Sequence, residues 1–381
     1  MRTTEVLVVG AGPVGLALAA DLRARGVDVD VVERRIGTDA GTRAIGIHSP
    51  ALALLEASGA TAALLPRAVR IRRGEAVADD RTLATIRFDR LAVRHPYVAA
   101  LPQSATVSVL TSLAPPVRHG VTVTGLRPLR AAVQAQCVGV DGAEEIRAGV
   151  VVVASGWAGR DLVYRPSAVR THHYPDRYVM ADVDVPGDDV ARVHLDRGGV
   201  LESFPLPGGR RRLVARDGIG HPEPGDAGAA ARLQRAVHER TGLALDIAHA
   251  STFRVRRAVA PALRRGRIVV VGDAAHEVSP IGGQGMNLGL LDALTLAPLV
   301  ARWTRDEDVS TELERWERDR IASARHAARL AYLNTVLGRP RSPGVHLLRS
   351  TALRAGLAGP GGALFTRAYA MRLDRAARAA G

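Results

Sequence analysis

The chain has 381 residues, enough for two packed cores, and its 47% hydrophobic and 24% charged residues are ordinary for a globular protein. Its net charge of +14 would suit nucleic acid, but all 52 basic residues are Arg, interleaved with Asp and Glu, and 4 Phe, 6 Tyr and 3 Trp leave little for base stacking. A lone cysteine, Cys137, excludes an intrachain disulfide and a cysteine-cluster metal site, so no metal is expected.

The first thirty residues organise the rest. Val6 to Val9 form an unbroken apolar run that ends in glycines, the pattern of a strand buried on both faces of a parallel sheet. Gly10, Gly12, Pro13 and Gly15 follow, opening a helix with an apolar stripe at Leu16, Leu18, Ala19 and Leu22. Gly26 stops this helix, and a second strand over 27–32 leads to Glu33 and Arg34. Glycines at a helix N-terminus, with an acid at the end of the next strand, point to a dinucleotide. The pyrophosphate would lie on the helix end and the ribose hydroxyls on the carboxylate. No signal peptide precedes the first strand and no apolar run is long enough to span a bilayer. A cytoplasmic protein with no integral membrane segment and no nucleic-acid partner is expected.

A loop containing Arg43 comes next, then Ser49 and Pro50 as N-cap and first turn of a helix to Gly59. Strand-like pieces over 69–71 and 83–88 read as a first excursion into a second domain. Gln103 opens a helix to about Leu113, and strands near 121–124, 132–140 and 145–153 suggest a meander returning to the parallel sheet. Cys137 falls in the second of these as a small buried hydrophobe. Further strands are expected at 178–185, 192–195, 200–205 and 210–214, with one helix over 229–240. His172, His173, Tyr174 and Tyr178 either face a substrate or are ordinary sheet residues. An apolar strand over 268–271 precedes Gly272-Asp273-Ala274-Ala275-His276, and Pro280-Ile281-Gly282-Gly283-Gln284-Gly285-Met286-Asn287 follows closely. From Gly285 onward the chain reads mainly as helix.

The pair of motifs, residues 10–15 with Glu33 and residues 272–287, resembles the flavin-dependent aromatic hydroxylases typified by para-hydroxybenzoate hydroxylase. The ubiquinone-biosynthesis hydroxylases and polyketide oxygenases are close relatives. The resemblance implies an α/β fold in which a Rossmann-like FAD-binding domain (1–66, 101–162 and 256–300) is interleaved with a β-rich substrate domain (67–100 and 163–255). Helices would make up 301–381. It assigns Gly10, Gly12, Pro13, Gly15, Glu33, Arg34, Arg43, Gln103, Asp273, Pro280, Gly283, Gly285, Met286 and Asn287 to FAD, with Pro280 lining the reactive edge of the flavin. His276 is expected to be structural, while Asp292 and Asn287 could also be caps or surface groups. The implied activity is a monooxygenase acting on an aromatic or polyketide-like molecule with O2, through a C4a-hydroperoxyflavin. A reductase or oxidase of the same fold is the alternative. One segment departs from the family pattern: residues 155–162 read Ser-Gly-Trp-Ala-Gly-Arg-Asp-Leu, where relatives carry Asp-Gly-x-x-Ser-x-Val-Arg. That leaves the electron source open between NADPH or NADH acting directly and a separate flavin reductase.

Overall fold

The computed structural model describes residues 1–37, 44–220, 228–357 and 360–371. Its α/β architecture sets a mostly parallel sheet against a mostly antiparallel one, with helices around both. β1 (Arg2–Val9) and β2 (Val29–Glu33) pair in parallel through α1 (Pro13–Ala24). β1 also pairs in parallel with the long strand Gly142–Val153, which in turn pairs with Ile268–Val270. Val6, Leu7, Val8 and Val150 to Val153 are buried on both faces, which is what sheets covered by helices on each side demand. Before it enters the parallel sheet, Gly142–Val153 is the last strand of an antiparallel meander with Val133–Gly139 and Thr122–Pro128. Cys137 is buried there, and burial pushes its thiol up to about 11.

The second sheet runs in the order His276–Glu277, Ser251–Val259, Thr171–Asp184, Arg210–Ile219, Gly199–Leu206, Val190–Asp196, Arg73–Ala78, Arg81–Arg87. One face packs on the helix Ala229–Thr241 through Val179, Leu201, Leu213, Ala215 and Leu233. The other carries Tyr174, Tyr178, Val200, Val214 and Val255 against Ile281 of the second motif. Because His276–Glu277 pairs with Ser251–Val259, the second motif joins the two sheets. The helices Ser310–Leu337, Pro343–Gly356 and Pro360–Tyr369 close the chain, and no helix among the described residues is long and apolar enough to cross a membrane.

Three local expectations are corrected. Val69–Ile71 does not join the large second sheet; it pairs with Val98–Ala100, which also pairs with Gly46–Ile47 in a small separate sheet. Ser49 lies inside the helix Ser49–Leu55 and makes no side-chain cap bond, so His48 holds the N-cap position. The strand expected from 178 begins at Thr171, carrying exposed His172 and His173 opposite Arg257 and Arg256. Thr171, His172 and His173 pair with Ser251–Val259 alone, and polar residues on both strands leave no apolar pattern to mark this stretch.

Candidate functional site

The site is built where the parallel strands end. Between β1 and α1 the backbone turns so sharply that a Cβ on Gly15 would sit 2.1 Å from the Gly10 carbonyl oxygen. Only glycine permits that approach. Gly12 is the N-cap of α1 with no side-chain cap bond, and a Cβ there would meet nothing within 4 Å. The helix Gly285–Trp303 repeats this arrangement. No side chain caps its N-terminus, and Gly283, just before it, also faces open space. The two helices pack together: Val14 of α1 lies against Gly272 and Gly289. Two positive helix ends are thereby brought close together.

Glu33 is buried and holds the glycine loop. One carboxylate oxygen accepts the Ala11 N–H at 2.9 Å, and the other accepts the Arg35 N–H and Nε at 3.0 Å each. Burial works to raise its pKa, but hydrogen bonds from Arg35 and Ala11 outweigh this and hold the carboxyl below its ordinary value. Arg34, assigned to the cofactor by the family resemblance, is the next residue in the chain. Arg34 is exposed, and Arg35 is the one that folds back onto Glu33. Arg43 lies outside the described residues.

Gln103 stands at the start of its helix and accepts the Ala44 N–H at 3.2 Å. Asp273 and Pro280 are exposed, Met286 and Pro13 half-buried, and Gly283 exposed. Gly10 and Gly15 are buried under the turn, and Gly285 is half-buried at the helix start. Asn287 is neither a surface group nor a cap for its own helix. It is fully buried, accepts the His48 N–H at 2.8 Å and donates to the Gly46 carbonyl at 2.8 Å. Its amide ties the chain leading into Ser49–Leu55 to the second motif. His48 is buried with Nδ1 unpartnered among the described residues, and burial lowers its pKa to about 4, so the ring is neutral.

Beneath the cleft lies a buried ionic network the sequence did not reveal. Asp292 is fully buried, not on the surface. Its carboxylate accepts His276 Nε2 at 2.5 Å, Arg320 Nε at 2.7 Å and the Gly272 N–H at 3.1 Å. His276 is a structural member of this network. Arg160, from the departing segment, donates to the Asp273 and Ala274 carbonyls and to Glu277. Its guanidinium is spent on the back of the second motif. The only sequence signal for these links is a charged residue inside an otherwise apolar helix, at Asp292.

Such a site, a glycine-turned helix end and a second helix end converging at the rim of a parallel sheet beside an antiparallel one, defines a dinucleotide-binding fold. Residues 3–331 match the family described as "FAD binding domain". The chain belongs to that family, as the two motifs led one to expect. It is 31% identical over 336 residues to the 6-methylpretetramide 4-monooxygenase of Streptomyces rimosus, covering 83% of this chain and 59% of that one. With the rifampicin monooxygenase of Streptomyces venezuelae it shares 29% identity, over 89% of this chain and 70% of the relative. In fold it is similar to p-nitrophenol 4-monooxygenase PnpA from Pseudomonas putida DLL-E4, with a TM-score of 0.87, 23% identity and 99% of both chains covered. The chain thus spans about three fifths of the length of the first of these relatives.

The residues present fit FAD. Open space at Gly12 and Gly283 removes the side chains that would obstruct a flat or phosphorylated group, and both helix ends leave their first N–H groups to a ligand.

Proposed function

We propose that the protein is an FAD-dependent monooxygenase acting on an aromatic or polyketide-like small molecule. The observation that carries this reading is the convergence of two uncapped, glycine-lined helix N-termini beside a second motif that packs on the second sheet through Ile281. Residues 1–66, 101–162 and 256–300 would hold the cofactor, 67–100 and 163–255 would cover the substrate, and 301–381 would brace both. Gly10, Gly12, Pro13 and Gly15 would receive the pyrophosphate at the start of α1. Glu33 takes the adenosine ribose. Arg34 and Arg43 add positive charge nearby, and Gln103 and Asp273 hydrogen-bond the ribityl chain. The backbone at Pro280, Gly283, Gly285, Met286 and Asn287 lies along the ring system, with Pro280 facing the reactive edge. Bound and reduced, FAD supplies the activation of O2. The protein's own contribution is positional and electrostatic: the N-terminus of Gly285–Trp303 favours negative charge beside it, and the second sheet excludes water. The names of the relatives support the substrate class.

Arg160 bears on the electron source. Its guanidinium, engaged by Asp273, Ala274 and Glu277, would partly replace the basic residue missing from the departing segment only if those contacts were given up. Reduction by NADPH or NADH would therefore be weak without substrate, and a separate flavin reductase is the alternative donor.

Two expected results follow. Asp273→Ala should weaken FAD binding roughly ten- to a hundredfold, the effect of losing a hydrogen bond worth ~1.5–3 kcal/mol. FAD titration of the refolded apoprotein measures it, and unchanged affinity would remove Asp273 from the site. Turnover of a phenolic or polyketide substrate under labelled O2, with NADPH, NADH or an added flavin reductase in turn, should place one labelled atom in the product. Stoichiometric hydrogen peroxide with unlabelled product would make the protein an oxidase.

A further inference from the structure

The turn that leads into the second helix end is held by residues far away in the chain. Gly282 takes φ +96°, and a Cβ on it would stand 2.7 Å from Asn334 Nδ2 and 3.4 Å from the Tyr369 hydroxyl. Asn334 on the helix Ser310–Leu337 and Tyr369 on Pro360–Tyr369 are hydrogen-bonded to each other. One residue further, the buried Thr335 hydroxyl lies 3.0 Å from Ser279 Oγ, which accepts the Ile281 N–H at 3.4 Å. From the second sheet, Glu202 Oε1 accepts the Gly282 N–H at 3.3 Å. Burial pushes this carboxyl up to about 8 and raises the Tyr369 phenol as well, so both are protonated at neutral pH. Past Tyr369, Ala370 is buried in a cluster with Ile71, Phe88, Val98 and Ala100, and Met371 in one with Leu288 and Leu291. Asn334, Thr335 and Tyr369 all lie beyond residue 331, where the family match ends.

We propose that Asn334 and Tyr369 are positioning residues for the cofactor: by closing over the Gly282 Cα they fix the 280–283 backbone and the start of Gly285–Trp303, and so set how strongly the site prefers reduced over oxidised FAD. This deepens the proposed function and rests on it for the placement of the ring system along that backbone. The physical link is short. The Gly283 N–H donates to the Pro280 carbonyl at 2.8 Å, so the turn moves as a unit. Gly285–Trp303 then starts with no side-chain cap, and its positive end favours negative charge beside it. That influence falls off within the first turn of a helix, so a small drift of the turn weakens it. Reduction adds negative charge to the cofactor, and the reduced form therefore loses more from the drift than the oxidised form. A bracing role acts differently. It changes the affinity for both forms equally, and an equal change shifts no equilibrium between them. Arg349 supplies the contrast: it ties Pro343–Gly356 to the Leu195 and Leu337 carbonyls, and among the described residues it makes no hydrogen bond to the turn.

The test uses the FAD-loaded full chain at neutral pH and reads the midpoint potential of the bound flavin by reductive titration against a reference dye. Relative to free FAD, that potential gives the ratio of affinities for the reduced and oxidised forms. Asn334→Leu should lower the ratio about tenfold, ~30 mV for a two-electron couple. Tyr369→Phe, which removes only the hydroxyl, should lower it about threefold. Arg349→Met should lower the denaturation midpoint and leave the potential at the wild-type value. Wild-type potentials in Asn334→Leu and Tyr369→Phe would overturn the assignment. An equal shift in Arg349→Met would overturn it too, because general loosening of the C-terminal helices would then suffice. Should Asn334→Leu fail to fold, Tyr369→Phe decides by the same criterion. Lowered potentials in these variants, with no labelled oxygen in the wild-type product, would strike the monooxygenase reading and leave the positioning role standing.

Discussion

Gly12→Asp is expected to leave the protein folded, slightly stabilised, and unable to hold FAD. Gly12 has φ −74° and a Cβ there meets nothing within 4 Å, so the backbone and the surroundings accept a side chain. Aspartate is also a better N-cap than most residues, worth a few tenths of a kcal/mol over glycine. The same carboxylate, however, would stand where the pyrophosphate approaches the start of α1. Like charges about 4 Å apart at an effective dielectric of 20 repel by ~4 kcal/mol. That corresponds to roughly a thousandfold in affinity. A melting curve of the apoprotein and an FAD titration read the two effects separately. Opposite signs are the signature of a ligand site, whereas a purely structural glycine would lose stability first. Undiminished FAD affinity in the variant would move the pyrophosphate elsewhere.

The second large effect is on stability. Asp292→Ala removes the common partner of His276 and Arg320 and leaves Arg320, 1% exposed, with its charge buried. Breaking a buried pair in this way costs ~3–5 kcal/mol. The Gly272 N–H also loses its acceptor, so the segment carrying Asp273 should loosen and FAD affinity should fall with stability. Chemical denaturation of the variant measures the loss. Adding Arg320→Met to Asp292→Leu should recover much of it, because an apolar pair of similar volume can replace a buried ion pair. Burial alone would raise the Asp292 pKa; the charges of His276 and Arg320 overcome this and hold it below its ordinary value. A carboxyl depressed in the folded state contributes fully above its unfolded pKa and loses its contribution as pH falls through the folded one. Acid, and not alkali, is therefore the condition that releases this network.

What the sequence disclosed, and what it withheld, follows from the range of the interactions. β1, α1 and β2 are specified by neighbours in the chain: an apolar run, a glycine turn and a helical stripe. Their C-terminal ends could be placed to within a residue or two, while β1 and α1 each begin about three residues ahead of the apolar pattern, at Arg2 and Pro13. The second motif was legible for the same reason. The bond from the Gly282 N–H to the buried Glu202 carboxyl group was not, because it depends on register. The rung Val193, Glu202, Val214 and Met180 draws on four strands, and no local pattern fixes which residues stand opposite. Asp292 and Arg320 are 28 positions apart on successive helices, so their pairing belongs to packing and not to periodicity. The bonds from Arg35 to Glu33 depend on the direction in which the chain leaves β2, which an adjacent pair of identical residues does not reveal.

The long strand Gly142–Val153 has a consequence for how the protein is made. β1 meets β2 after about twenty residues of intervening chain, yet its other edge waits for residues 146–153, and Gly142–Val153 in turn waits for 268–270. During synthesis the N-terminal unit must therefore emerge with an apolar parallel edge unpaired for well over a hundred residues. Pairings of such sequence separation are entropically expensive to close and slow to form. Open strand edges in the interval are templates for association between nascent chains. The backbone contact that seats the glycine turn, the Ala154 N–H on the Val9 carbonyl at 2.8 Å, also forms only then. The nucleotide cradle at the very start of the chain is thus finished late, by residues the ribosome has yet to add when its own glycines appear.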